Sequence, residues 1–74
     1  MHAIYKCRMC HKRFETGYVV AHKEIAVELT AQIANTGEAR QRPFILKMQR
    51  LHECKNGSVG IADFIGFSGD GKVQ

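Results

Sequence analysis

Tryptophan is absent from these 74 residues, proline occurs once, at Pro43, and cysteine three times, at Cys7, Cys10 and Cys54. Each scarcity excludes something. An odd number of cysteines cannot pair off within one chain, and no basic-then-apolar leader opens the sequence. The disulfide framework of a small secreted domain is therefore not expected, and a reducing, cytoplasmic setting is. No apolar run is long enough for a membrane-spanning helix. The aromatic residues, four Phe and two Tyr, provide little surface for stacking on bases. A phosphate-binding loop is missing too, because "SGDGK" at 68–72 lacks the glycine spacing and the following helix that such a loop needs. The carboxylates Glu15, Glu24, Glu28, Glu38, Glu53, Asp63 and Asp70 are scattered, and no Ser, His and Asp set for nucleophilic catalysis is visible, so an enzyme is not expected.

What the chain does have is ligands for a staple. One domain of this length buries too little surface for its core alone to hold it comfortably. The stretch "YKCRMCHKRF", residues 5–14, sets Cys7 and Cys10 in C-x2-C spacing, and "LHECKNG" sets His52 two positions before Cys54. Two short-spaced pairs can each supply one edge of a tetrahedron, the arrangement that Zn2+ takes, whereas Mg2+ and Ca2+ want oxygen. Four protein ligands leave no open position for water, so the expected cofactor is one structural Zn2+. A thioredoxin-like redox pair would need a larger parallel-sheet domain around Cys7 and Cys10. The step after the second cysteine, where glycine is common, is His11; this means either a less tight turn or a competing ligand. His2 and His22 read as solvent-facing.

Along the chain, "HAIYKC" reads as a strand entering the cysteine turn, and "KRFETGYVV" as a return strand and turn around Gly17, with Phe14, Tyr18, Val19 and Val20 as apolar contributors. In "HKEIAVELTAQIAN", residues 22–35, alternation and the four-residue spacing of Ile25, Leu29 and Ile33 compete. Length, alanine content and the closing Asn35-Thr36-Gly37 predict a helix with a glycine cap. "EARQRP" at 38–43 reads as an exposed connector. "FILKMQRLHEC" reads as one strand with Phe44, Leu46, Met48, His52 and Cys54 on a single face. Asn56-Gly57 predicts a type I′ turn, after which "VGIADFIGF" resumes as a strand.

Lys and Arg outnumber Asp and Glu by 11 to 7, a net charge of +4 that favours an acidic partner. Two basic groups stand out: Lys6, Arg8, Lys12 and Arg13 around the cysteine turn, and Arg40, Arg42, Lys47 and Arg50 after the helix. Together they could form a phosphate-binding face for nucleic acid; the plainer reading is a solvated surface that aids solubility. Asp63, the one acid inside an apolar run, reads either as a cap or edge guard or as a contact for a partner. With Phe64, Ile65 and Phe67 it outlines an exposed apolar segment for a protein partner. Neither a membrane nor a small-molecule substrate is expected.

The residues "YKCRMC" and "HECKNGSVGIADFIGF" resemble small zinc-ribbon-like proteins encoded by tailed phages and prophages of enteric bacteria. The resemblance covers the two ends, roughly a third of the chain. It implies Cys7, Cys10, His52 and Cys54 as ligands and an accessory role in binding a host or phage macromolecule, and it implies no activity. The expected architecture is α+β: a small zinc-stapled antiparallel sheet with one helix packed across it, in a single domain over 1–68 with a flexible tail at 69–74.

Overall fold

A computed structural model describes residues 1–41 and 44–69. Its elements follow in the order β1 (His2–Cys7), β2 (Arg13–Val19), α1 (Lys23–Thr36), β3 (Glu38–Gln41), β4 (Phe44–Lys47), β5 (Gln49–Glu53) and β6 (Val59–Phe67). Four strands form an antiparallel sheet in the order β2-β1-β6-β5, and β3 and β4 form a separate two-stranded sheet. The α+β architecture expected from the sequence is the one observed.

Alternation along β1 turns Ala3, Tyr5 and Cys7 to one face, where each is almost fully buried. That inner face is covered by α1 and the β3–β4 hairpin. Ala3, Tyr5 and Ala62 from the large sheet meet Ala26, Leu29 and Ile33 from the helix and Ala39 and Leu46 from the hairpin. The helix ends as its sequence predicts: Gly37 is left-handed, with φ 86°, and its N–H bonds the Ile33 carbonyl at 2.8 Å. Tyr5, on the central strand, donates its hydroxyl to the Lys47 carbonyl at 2.6 Å and so ties the two sheets together.

Several local expectations are corrected. Gly17 lies within β2 and does not make a turn; the register moves from His2 opposite Val19 to Ile4 opposite Glu15, so residues 16–18 face Ala3 alone as a bulge. Of the apolar residues read there, Val20 is buried, Phe14 half-buried and Val19 exposed. The segment 38–41 is a strand, because Ala39 turns inward opposite Leu46 while its polar neighbours face water. Arg42, Pro43 and the tail from 70 to 74 lie outside the described residues. The run from Phe44 to Cys54 is two strands in different sheets. Met48 forms the break, with its N–H bonded to the Gly37 carbonyl at 2.8 Å and its carbonyl to the Phe64 N–H at 2.7 Å. Phe44 and Leu46 do share a face of β4, with Leu46 buried and Phe44 exposed at the strand's start, but the break at the exposed Met48 ends that face before His52 and Cys54. At the β5–β6 turn only Gly57 has positive φ, 87°, with its N–H on the Cys54 carbonyl. A type I′ turn needs positive φ at Asn56 as well, so this is a three-residue loop closed by a left-handed glycine.

Candidate metal centre

Cys7 ends β1 on the inner face, and the chain folds back at once. The Cys7 carbonyl accepts the His11 N–H at 2.9 Å, the Cys7 N–H reaches the Lys12 carbonyl at 3.0 Å, and the Met9 N–H points at the Cys7 sulfur at 3.4 Å. His11 takes the step usually given to glycine and does so with φ 62°, so the turn stays tight without one. Arg8 docks this turn on β6, through its N–H to the Ile61 carbonyl at 2.8 Å and a two-point guanidinium contact with Asp63 at 2.6 and 2.8 Å. From the other side, β5 presents His52 on the inner face. Cys54 follows just beyond the strand, fixed by its N–H on the Ser58 carbonyl at 2.7 Å.

These segments bring the four expected ligands together. The ligand atoms of Cys7, Cys10, His52 and Cys54 all lie within 4.8 Å of one another, a group that could hold a metal ion and that closes without His11. The Cys7 and Cys54 sulfurs are 3.8 Å apart, and the His52 Nδ1 is 3.6 Å from Cys10 Sγ and 3.7 Å from Cys54 Sγ. A tetrahedral ion with sulfur at about 2.3 Å and nitrogen at about 2.0–2.1 Å needs edges of about 3.8 Å between sulfurs and about 3.6 Å between sulfur and nitrogen. The three separations match those edges, and all three cysteines are free thiols. Cys7 and Cys54 are buried, His52 is half-buried and Cys10 is exposed.

The electrostatics of the group ask for a cation. Cys7 is drawn down to about 6, first by the backbone N–H of Cys10, against the opposing effect of its burial. Cys54 is pushed up to about 11, first by desolvation and then by the neighbouring Cys10 and Cys7 sulfurs. Three sulfurs this close cannot all ionise unless positive charge sits among them.

Three contributors escape a search for ligand types. Gly60 on β6 lies opposite His52, and a Cβ there would come within 2.5 Å of Met9 Cγ and 2.9 Å of Cys7 Sγ; a glycine inside an apolar strand is the signal for such a close approach. Met9 supplies that contact. Phe14, on β2, stacks on the His52 ring with centroids 4.8 Å apart and planes 15° off parallel. Since β1 and β6 separate β2 from β5 in the sheet, this contact records its curl.

The other predicted residues are dispersed. Lys6 and Arg13 stand opposite each other on the outer face, and Lys12 lines a hollow with Cys10, His52, Glu53 and Lys55. Arg50 lies on the inner face with its guanidinium 5.5 Å from the centre of the Tyr5 ring. Arg40 and Lys47 belong to the smaller sheet, Lys47 opposite Glu38. Arg8 and Asp63 are engaged with each other, which holds the Asp63 carboxyl below its ordinary range. Phe64 and Phe67 pack partly buried against the core and edge-on to each other, leaving Ile65 as the exposed member of that segment. No helix among the described residues is long and apolar enough to cross a membrane. No protein-family model, curated protein or solved structure matches the chain.

Proposed function

We propose that the ion is zinc, one per chain, and that its role is structural. The observation that carries this reading is the gathering of three sulfurs and one imidazole nitrogen within 4.8 Å of one another, with three of their separations at tetrahedral edge lengths. Thiolate and imidazole donors suit Zn2+, and four protein ligands leave no place for a reacting water. Native mass spectrometry tests it. The expected result is a chain carrying one zinc, with the zinc lost in Cys54→Ser; a folded chain that takes up no zinc would refute it.

The function that follows is a non-enzymatic binding module, with nucleic acid as the partner class. Its support is the net charge of +4, the adjacent Lys6 and Arg13, and Lys12 at the rim of the ligand cluster. The phage or prophage setting belongs to the same proposal and rests on the motif resemblance. Affinity for a short duplex or single strand should fall steeply with added salt as phosphate counterions return. A salt-insensitive or absent interaction would turn the search toward a protein partner, the reading favoured by the exposed aliphatic side chains of β5 and β6.

A further inference from the structure

Strand β5 is a regular edge of the sheet, without a bulge. The other edge of the sheet, β2, carries a bulge at residues 16–18, a device that discourages strand addition. β5, "QRLHE", has no bulge, lysine or proline. Its one cation, Arg50, is turned inward over Tyr5. On the outer face Leu51 is 80% exposed and sits opposite Ile61, itself 43% exposed, with Val59 beside it at 58%.

The backbone is just as open. The ladder to β6 is anchored at its ends by the Cys54 N–H on the Ser58 carbonyl and the Phe64 N–H on the Met48 carbonyl. Antiparallel pairs alternate between bonded and unbonded, so His52–Gly60 and Arg50–Ala62 are the bonded pairs between those anchors. The N–H and C=O groups of Gln49, Leu51 and Glu53 therefore point out of the sheet, and among the described residues no backbone partner outside the ladder meets them.

We infer that β5 pairs antiparallel with β5 of a second copy of this chain, about a two-fold axis at Leu51. Three features select that occupant and that register. Every outward N–H and C=O of one strand meets its complement on the other, whereas axes at Arg50 or His52 leave one residue of each strand unmatched. Leu51 meets Leu51 of the second copy, which makes a continuous apolar row Ile61–Leu51–Leu51–Ile61, and Gln49 meets Glu53 as a hydrogen-bonding pair. An axis at Arg50 would set guanidinium against guanidinium, and one at His52 would set Leu51 against Glu53. The interface is isologous, as two-fold dimers require. Being one strand wide, it falls below the roughly 1,200–2,000 Å2 of stable complexes, so the dimer forms and dissociates with concentration.

Sedimentation equilibrium of the metal-loaded full chain, from micromolar to millimolar, tests this together with amide hydrogen exchange. The mass should rise from one chain to two, and the Gln49, Leu51 and Glu53 amides should gain protection over the same range. Leu51→Lys opposes two like charges on the axis and should weaken association roughly tenfold or more, with metal content unchanged. A chain that stays monomeric at every concentration, including one whose edge is taken by a different protein's strand, overturns the proposal. So does a dimer that Leu51→Lys leaves intact. Should that variant fail to fold, the wild-type protection pattern decides by itself.

Discussion

His11 shows what a residue type can and cannot say. A glycine is common after the second cysteine because the chain there turns left-handed, and its absence reads as a looser turn or a spare ligand. The turn is kept, and His11 carries the conformation with φ 62°. For a residue with a Cβ that conformation costs roughly 1–2 kcal/mol, somewhat less for His than for most. His11→Gly should therefore raise stability by up to about 1 kcal/mol, read as a higher thermal midpoint, and leave metal affinity intact; a loss of the metal would instead make His11 a ligand. Gly60 makes the complementary case. Its added methyl in Gly60→Ala would fall 2.9 Å from Cys7 Sγ and 2.5 Å from Met9 Cγ, so either the cysteine turn or β6 must move. A loss of about 1–3 kcal/mol is expected, with weaker metal binding in competition with a chromophoric chelator. The gathering of Cys7, Cys10, His52 and Cys54 was legible from residue type and spacing. Arg8 and Asp63 were not legible as a pair, because 55 positions separate them and only the docking of the turn on β6 brings them together.

At the scale of elements, what could be read depended on whether the pattern was local. Over residues 22–35 an alternating and a helical period compete, and burial separates them: Leu29 and Ile33 are buried and Ile25 half-buried, while Val27 is 60% exposed. Two substitutions on one helix test that division. Leu29→Ala should cost about 2–5 kcal/mol in denaturant unfolding. Val27→Ala should stay within about 0.5 kcal/mol, and equal losses would mean that the helix face is wrongly assigned. The terminal strands β1 and β6 were equally legible, since their alternation faces one continuous core. β3 was hidden because three of its four residues are polar and its partner is chosen by Ala39 and Leu46 meeting under the helix. The break at Met48 was hidden for a related reason. Nothing in "FILKMQRL" stops a strand; the bend arises where the Met48 N–H goes to the end of α1 and its carbonyl to β6.

Across the whole molecule the ligand cluster joins strands that are not neighbours in the sheet. β1 with its turn and β5 with its hairpin are separated in the sheet by β6, and the cluster bridges them over Gly60, on the side where Phe14 stacks on His52. Without a bound ion three sulfurs face one another across that bridge, and Cys54, pushed up to about 11, holds its proton. The curl then loses the contact that closes it. A chain of this size has little else to offset its conformational entropy, so chelation should collapse the dispersed amide spectrum and the far-ultraviolet circular dichroism together. Acid should act in the same direction. Cys7 titrates below the ordinary thiol value, so the contribution of its thiolate is complete above the ordinary thiol range and is lost as pH falls through about 6. Protons compete with a bound ion for sulfur and imidazole alike, so a bound metal should be released as pH falls, with unfolding tracking its release to a chromogenic indicator. Metal release that instead ran ahead of unfolding would place the stability of the molecule in the core beneath α1, and the metal would be a passenger on a fold that stands without it.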